Sequence, residues 1–292
     1  MSFVGAASPQ RRKRMLIDSA FRWFCFAAAG LGVVLLAVFL VKIFMDGMGR
    51  LDWKFITSPL SSRPSRTGIW PAVVGSLYVM VLTGLIAVPI GVGAAIYLEE
   101  FTPRKNRFTR FIQLNIANLA GVPSIVYGLL GLAVFVRWLA LKQSILSGAL
   151  TMSLLILPMV IIVTQEALKA VPRTYREGSL ALGSTPWQAI RFQVLPAALP
   201  GILTGIILAL SRAIGETAPL IAVGAASYVS GLPNGLRDRY TVLPIQIFDW
   251  AGDARKGFNE AAASAIVVLI VALLALNSLA IILRARARKR LG

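Results

Sequence analysis

Two ionisable residues interrupt an otherwise apolar stretch, Arg212 and Glu216, within Ser211-Arg212-Ala213-Ile214-Gly215-Glu216-Thr217. They are the sole charges in the run 192–236. A charge at depth in hydrocarbon is costly, so each must face a partner or a watery cavity. Four residues apart on one helix near the middle of a span, they would share a face and could pair. Two readings stay open: a structural ion pair, or an anion site on a transport path. In the second, the planar fork of Arg212 suits phosphate or carboxylate. Glu216 would hold Arg212 when the anion is absent or, protonated, donate a hydrogen bond to it. Thr217 adjoins them and joins the candidate path. A further interruption is Pro123-Ser124-Ile125-Val126-Tyr127-Gly128. Gly121 and Pro123 can break a helix there, turning backbone N–H groups and the Ser124 hydroxyl toward an anion. A packed kink is the alternative.

The second constellation is polar and punctuated: Tyr175-Arg176-Glu177-Gly178-Ser179-Leu180-Ala181-Leu182-Gly183, with Leu195-Pro196 downstream. Gly183 can end a short helix in the left-handed conformation. Thr185-Pro186-Trp187-Gln188 can begin the next, with a capping threonine, proline in the first turn and glutamine reaching back. Two short helices joined at a glycine on a membrane surface make a docking element.

The elements that must position these residues follow from composition. Of 292 residues, 57% are hydrophobic and 14% charged, and mean hydropathy is +0.75; soluble domains carry about 25% charge. Charge-free runs cover 23–41, 67–98, 111–136, 143–165 and 261–283, with 192–236 the sixth and longest. Roughly 20 apolar residues cross the hydrocarbon. The chain therefore reads as an all-α polytopic membrane protein with six transmembrane helices. Its parts are a basic cytoplasmic tail (1–20), a first span near 21–45 with an external loop (21–66), a core (67–284) holding the docking loop 166–200, and a second basic tail (285–292). Within the core, spans are expected near 70–98, 111–136, 143–165, 201–226 and 261–283. The first apolar run follows a basic segment but lacks a clear cleavage site, and reads as a retained signal-anchor.

The net charge of +18 is distributed, not clustered as a nucleic-acid footprint. With six spans both termini share one side. That side carries 18 Lys/Arg against 11 on the other, which makes it cytoplasmic and attractive to anionic lipid headgroups. Nucleic acid is not an expected partner. The single cysteine, Cys25, excludes a disulfide within the chain and reads as a small packing residue. The absence of histidine removes imidazole metal sites and His-based catalysis. No Gly-Lys-Ser/Thr motif cradles a nucleotide. Gly201 and Gly205 are spaced for close helix approach.

The docking stretch resembles the Glu-Ala-Ala loop of ABC importer permeases. Glu177, Gly183, Leu195 and Pro196 match that pattern. Gly178 and Ser179 replace the alanines and keep small side chains, and Gln193 replaces an isoleucine. Ser211–Leu220, Ile116–Gly128 and Leu243–Trp250 narrow the resemblance to the PstA family of phosphate-importer permeases, over roughly 67–284. The Arg-Ala-Ile-Gly-Glu-Thr core is shared with the partner permease type of that branch. The resemblance implies the type I ABC importer permease fold in a bacterial inner membrane. It also implies a second permease subunit, two ATPase subunits and an external phosphate-binding protein. Arg212, Glu216, Thr217 and, more weakly, Ser124 would then line the substrate path; Glu177, Gly178, Ser179, Gly183, Leu195 and Pro196 would dock the ATPase. The chain would be no enzyme and bind no cofactor, ATP and Mg²⁺ residing on the ATPase subunits. Competing expectations are a permease for sulfate or molybdate, an ion-coupled secondary transporter, and a membrane scaffold without transport.

Overall fold

Long charge-free runs fold as helices because, in lipid, every backbone N–H and C=O must be satisfied within its own segment. The structure is a computed structural model that describes residues 9–102, 107–225, 228–229 and 231–289. The basic calls on Arg104, Lys105 and Arg290, and the tail before residue 9, lie outside the described residues. Helix α1 is Pro9–Met48, α2 Trp53–Thr57, α3 Trp70–Ile96, α4 Arg107–Ala120, α5 Ser124–Gly131 and α6 Ile145–Lys169. They are followed by α7 Arg173–Ala181, α8 Pro186–Ala189, α9 Leu195–Ile214, α10 Ala218–Val223, α11 Leu243–Ala251 and α12 Lys256–Lys289. Single π-helical turns prolong α3 (Tyr97–Phe101) and α5 (Leu132–Trp138), and join α8 to α9 (Ile190–Val194).

Among the described residues, five helices are long and apolar enough to span: Ile17–Met48, Trp70–Phe101, Ile145–Lys169, Pro186–Ile214 and Lys256–Leu279. The sixth expected span, near 111–136, is not one straight helix. It is the pair Arg107–Ala120 and Ser124–Trp138, bent by 100°. Pro123 has no N–H to donate and disfavours helical backbone at Val122, so the chain turns there.

Helix α6 is the axis of the bundle, with 61% of its most apolar stretch buried. Met152, Ile156, Val160 and Leu168 form its contribution to the core, with Val79 and Ala87 of α3 and Ile202, Ile206 and Ala209 of α9 around it. Gly205 and Gly201 set the approach of α9, since a Cβ on either would meet Val163 at 2.6 Å or Ala167 at 3.0 Å. Hydroxyls knit α3 to α6: Thr83 donates to the Ala149 carbonyl at 3.3 Å. Helix α1 packs along α12, where the Ser264 hydroxyl donates to the Gly47 carbonyl at 2.8 Å. Cys25 is exposed on α1 rather than buried within the chain, contrary to the expectation from its residue type. At the end of the bundle remote from α7, Phe55, Trp250 and Phe258 close a small second core.

Two boundaries differ from the sequence reading. The fifth span does not run 201–226; it begins near Pro186 and ends at Ile214. The π turn Ile190–Val194 widens the helix ahead of Pro196, and the helix runs through both Pro196 and Pro200. Its end is imposed by Pro219, whose ring would collide with the Gly215 carbonyl, four residues earlier, in a continued helix. Within the stretch 166–200, α6 continues to Lys169 and the fifth span begins near Pro186.

Candidate functional site

Arg212 lies in the last turn of α9, Gly215 caps that helix, and Glu216 and Thr217 form the break before α10. The expectation of one shared helix face near mid-span is therefore corrected. Leu195 to Arg212 is seventeen steps of helix, ~26 Å, so Arg212 sits far from the docking end. The pair survives the break: Arg212 Nε lies 3.8 Å from Glu216 Oε1, an ion-pair distance but too long for a hydrogen bond. The Arg212 side chain is 64% exposed and that of Glu216 is 19% exposed. The guanidinium is thus held loosely and presented outward from this chain. Its neighbour Ser211 is fixed, donating to Asn277 Oδ1 of α12 at 2.8 Å.

Arg212 and Ser124 meet at one cavity of about 270 Å³, whose wall also includes Tyr127, Leu155, Met159 and Ala213. Ser124 is the first residue of α5, beyond the break at Pro123. The amides of a first helical turn have no intrahelical acceptors and carry the positive end of the helix dipole. The break is locked by Tyr127, whose hydroxyl donates to the Leu119 carbonyl of α4 at 2.8 Å. At Gly128, α5 comes so close to α10 that a Cβ would lie 2.7 Å from Pro219 Cα. The two broken helices are therefore packed against each other, and Arg212 and Ser124 bring a guanidinium and a hydroxyl to one space. Glu216 borders Arg212, while Thr217 opens α10 without a side-chain cap bond.

At the other end, α7 and α8 form the punctuated element. Gly183 has φ +86°. The Ser184 amide donates to the Ser179 carbonyl at 3.2 Å and the Gly183 amide to Leu180 at 3.0 Å, the paired bonds of a Schellman termination. Thr185 and Gln188 complete a capping box at α8. Gly178 and Ser179 line an open groove of about 450 Å³ with Tyr175, Leu182, Ser184 and Gln193. Glu177 lines a different, larger cleft of about 790 Å³ toward α4. Leu195 and Pro196 do not join this surface; half-buried, they open α9.

Sequence reasoning missed three residues here. Leu182 is 90% exposed, an apolar knob with no intramolecular reason to point outward. Arg176 and Glu100 form a guanidinium–carboxylate pair, with Nε donating to Oε2 at 2.9 Å. This hydrogen bond raises the Arg176 pKa above its ordinary value. The available signals were a leucine directly before the helix-ending Gly183 and a charged doublet, Glu99-Glu100, closing a 32-residue charge-free run. Among the described residues no group of carboxylates and thiols is arranged to hold a metal ion.

Residues 87–292 match the family described as binding-protein-dependent transport system inner membrane component. The probable ABC transporter permease YqgI of Bacillus subtilis is 37% identical over 196 residues, 66% of either chain. The phosphate transport system permease PstA of Xylella fastidiosa is 31% identical over 280 residues, covering 94% of this chain and 95% of that one. PstA of Haemophilus influenzae is 31% identical over 250 residues, covering 85% and 86%. Among solved structures, a chain of the inward-facing MetNI methionine ABC transporter superposes with TM-score 0.59 at 20% identity, covering 78% of this chain and 99% of that one. A chain of a bacterial ABC transporter for alginate does so with TM-score 0.59 at 15% identity, covering 94% and 99%. These likenesses place the fold among type I ABC importer permeases.

Proposed function

The chain belongs to the binding-protein-dependent inner-membrane transport components, and on that premise we propose that it is one of two permease subunits of an ATP-driven importer of inorganic phosphate. The observation that carries this reading is the convergence of Arg212 with the opened N-terminus of α5 at one cavity. An oxyanion needs donors in several directions. The guanidinium fork, the Ser124 hydroxyl and the first-turn amides of α5 are such donors. Phosphate near neutral pH still carries a proton, as sulfate does not. A carboxylate beside the arginine can accept that proton's hydrogen bond, so Glu216 favours phosphate over a fully ionised oxyanion.

Arg212 is exposed because half of the path belongs to a second permease subunit facing it. The surface of α7 and α8, with Leu182 and its groove, seats an ATPase subunit, one of two in the assembly. ATP and Mg²⁺ reside there, and this chain performs no covalent step. ATPase closure moves the docking helices, the spans open outward, an external phosphate-binding protein delivers its cargo, and hydrolysis resets the path. The basic asymmetry of the loops supports cytoplasmic termini, which a reporter fused after residue 292 checks.

The test is radiolabelled phosphate uptake in cells that depend on this transporter, with assembly of the complex verified. Arg212→Gln abolishes uptake in this reading, and Arg212→Lys, which keeps charge but loses the planar fork, retains little. Glu216→Gln lowers the preference for phosphate over sulfate or molybdate in competition. An Arg212→Gln complex with full uptake sinks the anion site. Restoration of growth by sulfate or molybdate uptake instead would reassign the substrate.

A further inference from the structure

We infer that Arg176 and Glu100 are positioning residues that couple the docking helix α7 to span α3, so that the ATPase stroke drives a helix to which the docking segment has no nearby chain connection. The inference rests on the reading of α7 and α8 as the ATPase seat. By the chain, α7 pulls only on α6 before it and α9 after it; Glu100 is 76 residues away in sequence. Helix α7 buries none of its residues. It lies against the π turn Ile190–Val194 and α8, and one side chain, Arg176, ties it to the end of α3. Arg176 Nε lies 2.9 and 3.2 Å from the two Glu100 oxygens. Nη1 donates to the Val171 carbonyl and Nη2 to that of Leu168, each at 3.0 Å. The guanidinium thereby caps the Leu168 carbonyl at the end of α6 and the Val171 carbonyl just beyond it, while gripping the end of α3. A cation is favoured at that helix end.

Two further observations fit a link that transmits force. The Glu100 side chain is 7% exposed, so its grip is shielded from the water that would loosen a surface pair. The next residue, Phe101, holds the second docking helix, its ring 6.3 Å from that of Trp187. Consecutive residues at the end of α3 thus reach both sides of Gly183.

The experiment uses the full complex in proteoliposomes with the ATPase and binding-protein subunits. Phosphate moved per ATP hydrolysed is measured for Arg176→Lys, Arg176→Gln and Glu100→Gln. ATPase co-purification is measured in each, and in Leu182→Asp as a separate probe of the seat. The coupling inference expects co-purification to persist in the first three. The transport-to-hydrolysis ratio should fall about tenfold in Arg176→Gln and Glu100→Gln, with Arg176→Lys between them and the unmodified chain, because lysine cannot reproduce the two-pronged grip. The Arg176→Gln, Glu100→Gln double variant should be no worse than either single one, as expected for one shared interaction. A merely structural pair would reduce the amount of complex and leave the ratio unchanged; that result, or loss of assembly in all three variants, overturns the inference. Leu182→Asp with the ATPase fully retained would instead undermine the docking reading itself.

Discussion

Gly183 offers the cleanest perturbation because its environment isolates one physical cause. Its φ of +86° is left-handed, and a Cβ built there meets nothing within 4 Å. Substitution therefore costs backbone conformational energy without an intramolecular clash. For a non-glycine residue that cost is about 1–2 kcal/mol, a factor of roughly 5 to 30 against the seated arrangement of α7 and α8. Within the chain, Ala and Leu should cost the same, since size is irrelevant in open space. Asn tolerates the left-handed region and should cost least. In the assembled importer the ranking changes: Leu adds contact with whatever covers the groove beside Leu182, while Ala does not. The assay is phosphate uptake together with ATPase co-purification for Gly183→Ala, Gly183→Asn and Gly183→Leu. The expected order of activity is Asn above Ala above Leu, with membrane insertion unaffected because no span changes. Full uptake by the Ala and Leu variants, or an Asn variant worse than Ala, would show that the left-handed termination does not set the docking geometry.

Gly128→Ala places a methyl 2.7 Å from Pro219 Cα and Ala222 Cβ; a backbone-level collision of this kind costs about 1–3 kcal/mol and should lower both the thermal stability of the complex and uptake, and an unchanged melting temperature would refute the close approach of α5 and α10. Asp253 is held down to about 2 by hydrogen bonds from the Arg255 side chain and amide. Because its folded pKa is depressed, the contribution of this pair is present above the ordinary value of 3.8 and is lost only as pH falls toward about 2. Hydrogen-exchange protection factors, corrected for intrinsic exchange, of residues 61–67, where Arg255 also donates to the Ser62 carbonyl, should therefore be insensitive to acidification from about pH 7 to about pH 5 but lower in Asp253→Asn.

The order of helices was legible because charge-free run length is a strong signal in a membrane solvent. So was the local grammar of Gly183 and Thr185–Gln188, in which each residue acts on neighbours a few positions away. Pro123 was legible as a break for the same reason. What sequence did not disclose is long-range. Nothing near Arg176 announces Glu100, and nothing near Gly128 announces Pro219. The misplaced end of the fifth span has a different origin. Hydropathy continues through residues 215–223, while the helix does not, because a proline acts on the carbonyl four residues before it. Apolarity reports what lipid tolerates; termination reports backbone hydrogen bonding, and the two diverge at Gly215.

That divergence changes what the Arg212–Glu216 pair can do. On a continuous helix the two side chains would be fixed partners one turn apart, and exchanging them would preserve the pair. Across a break they belong to different elements: Arg212 to the C-terminal turn of α9, Glu216 to the linker before α10. The exchange would set a carboxylate against the carbonyl-bearing end of α9, which favours cations, so it should fail whether the pair is structural or binds substrate. The informative property is instead the looseness of the contact. At 3.8 Å, with Arg212 largely exposed, the pair has not formed the tight bidentate geometry that Arg176 and Glu100 have. A guanidinium held that way keeps its charge compensated yet its donors available. The same chain thus contains two arginine–glutamate pairs of opposite geometry, one gripping its partner with two prongs and the other leaving its fork open, as the proposed coupling link and the proposed anion site respectively require.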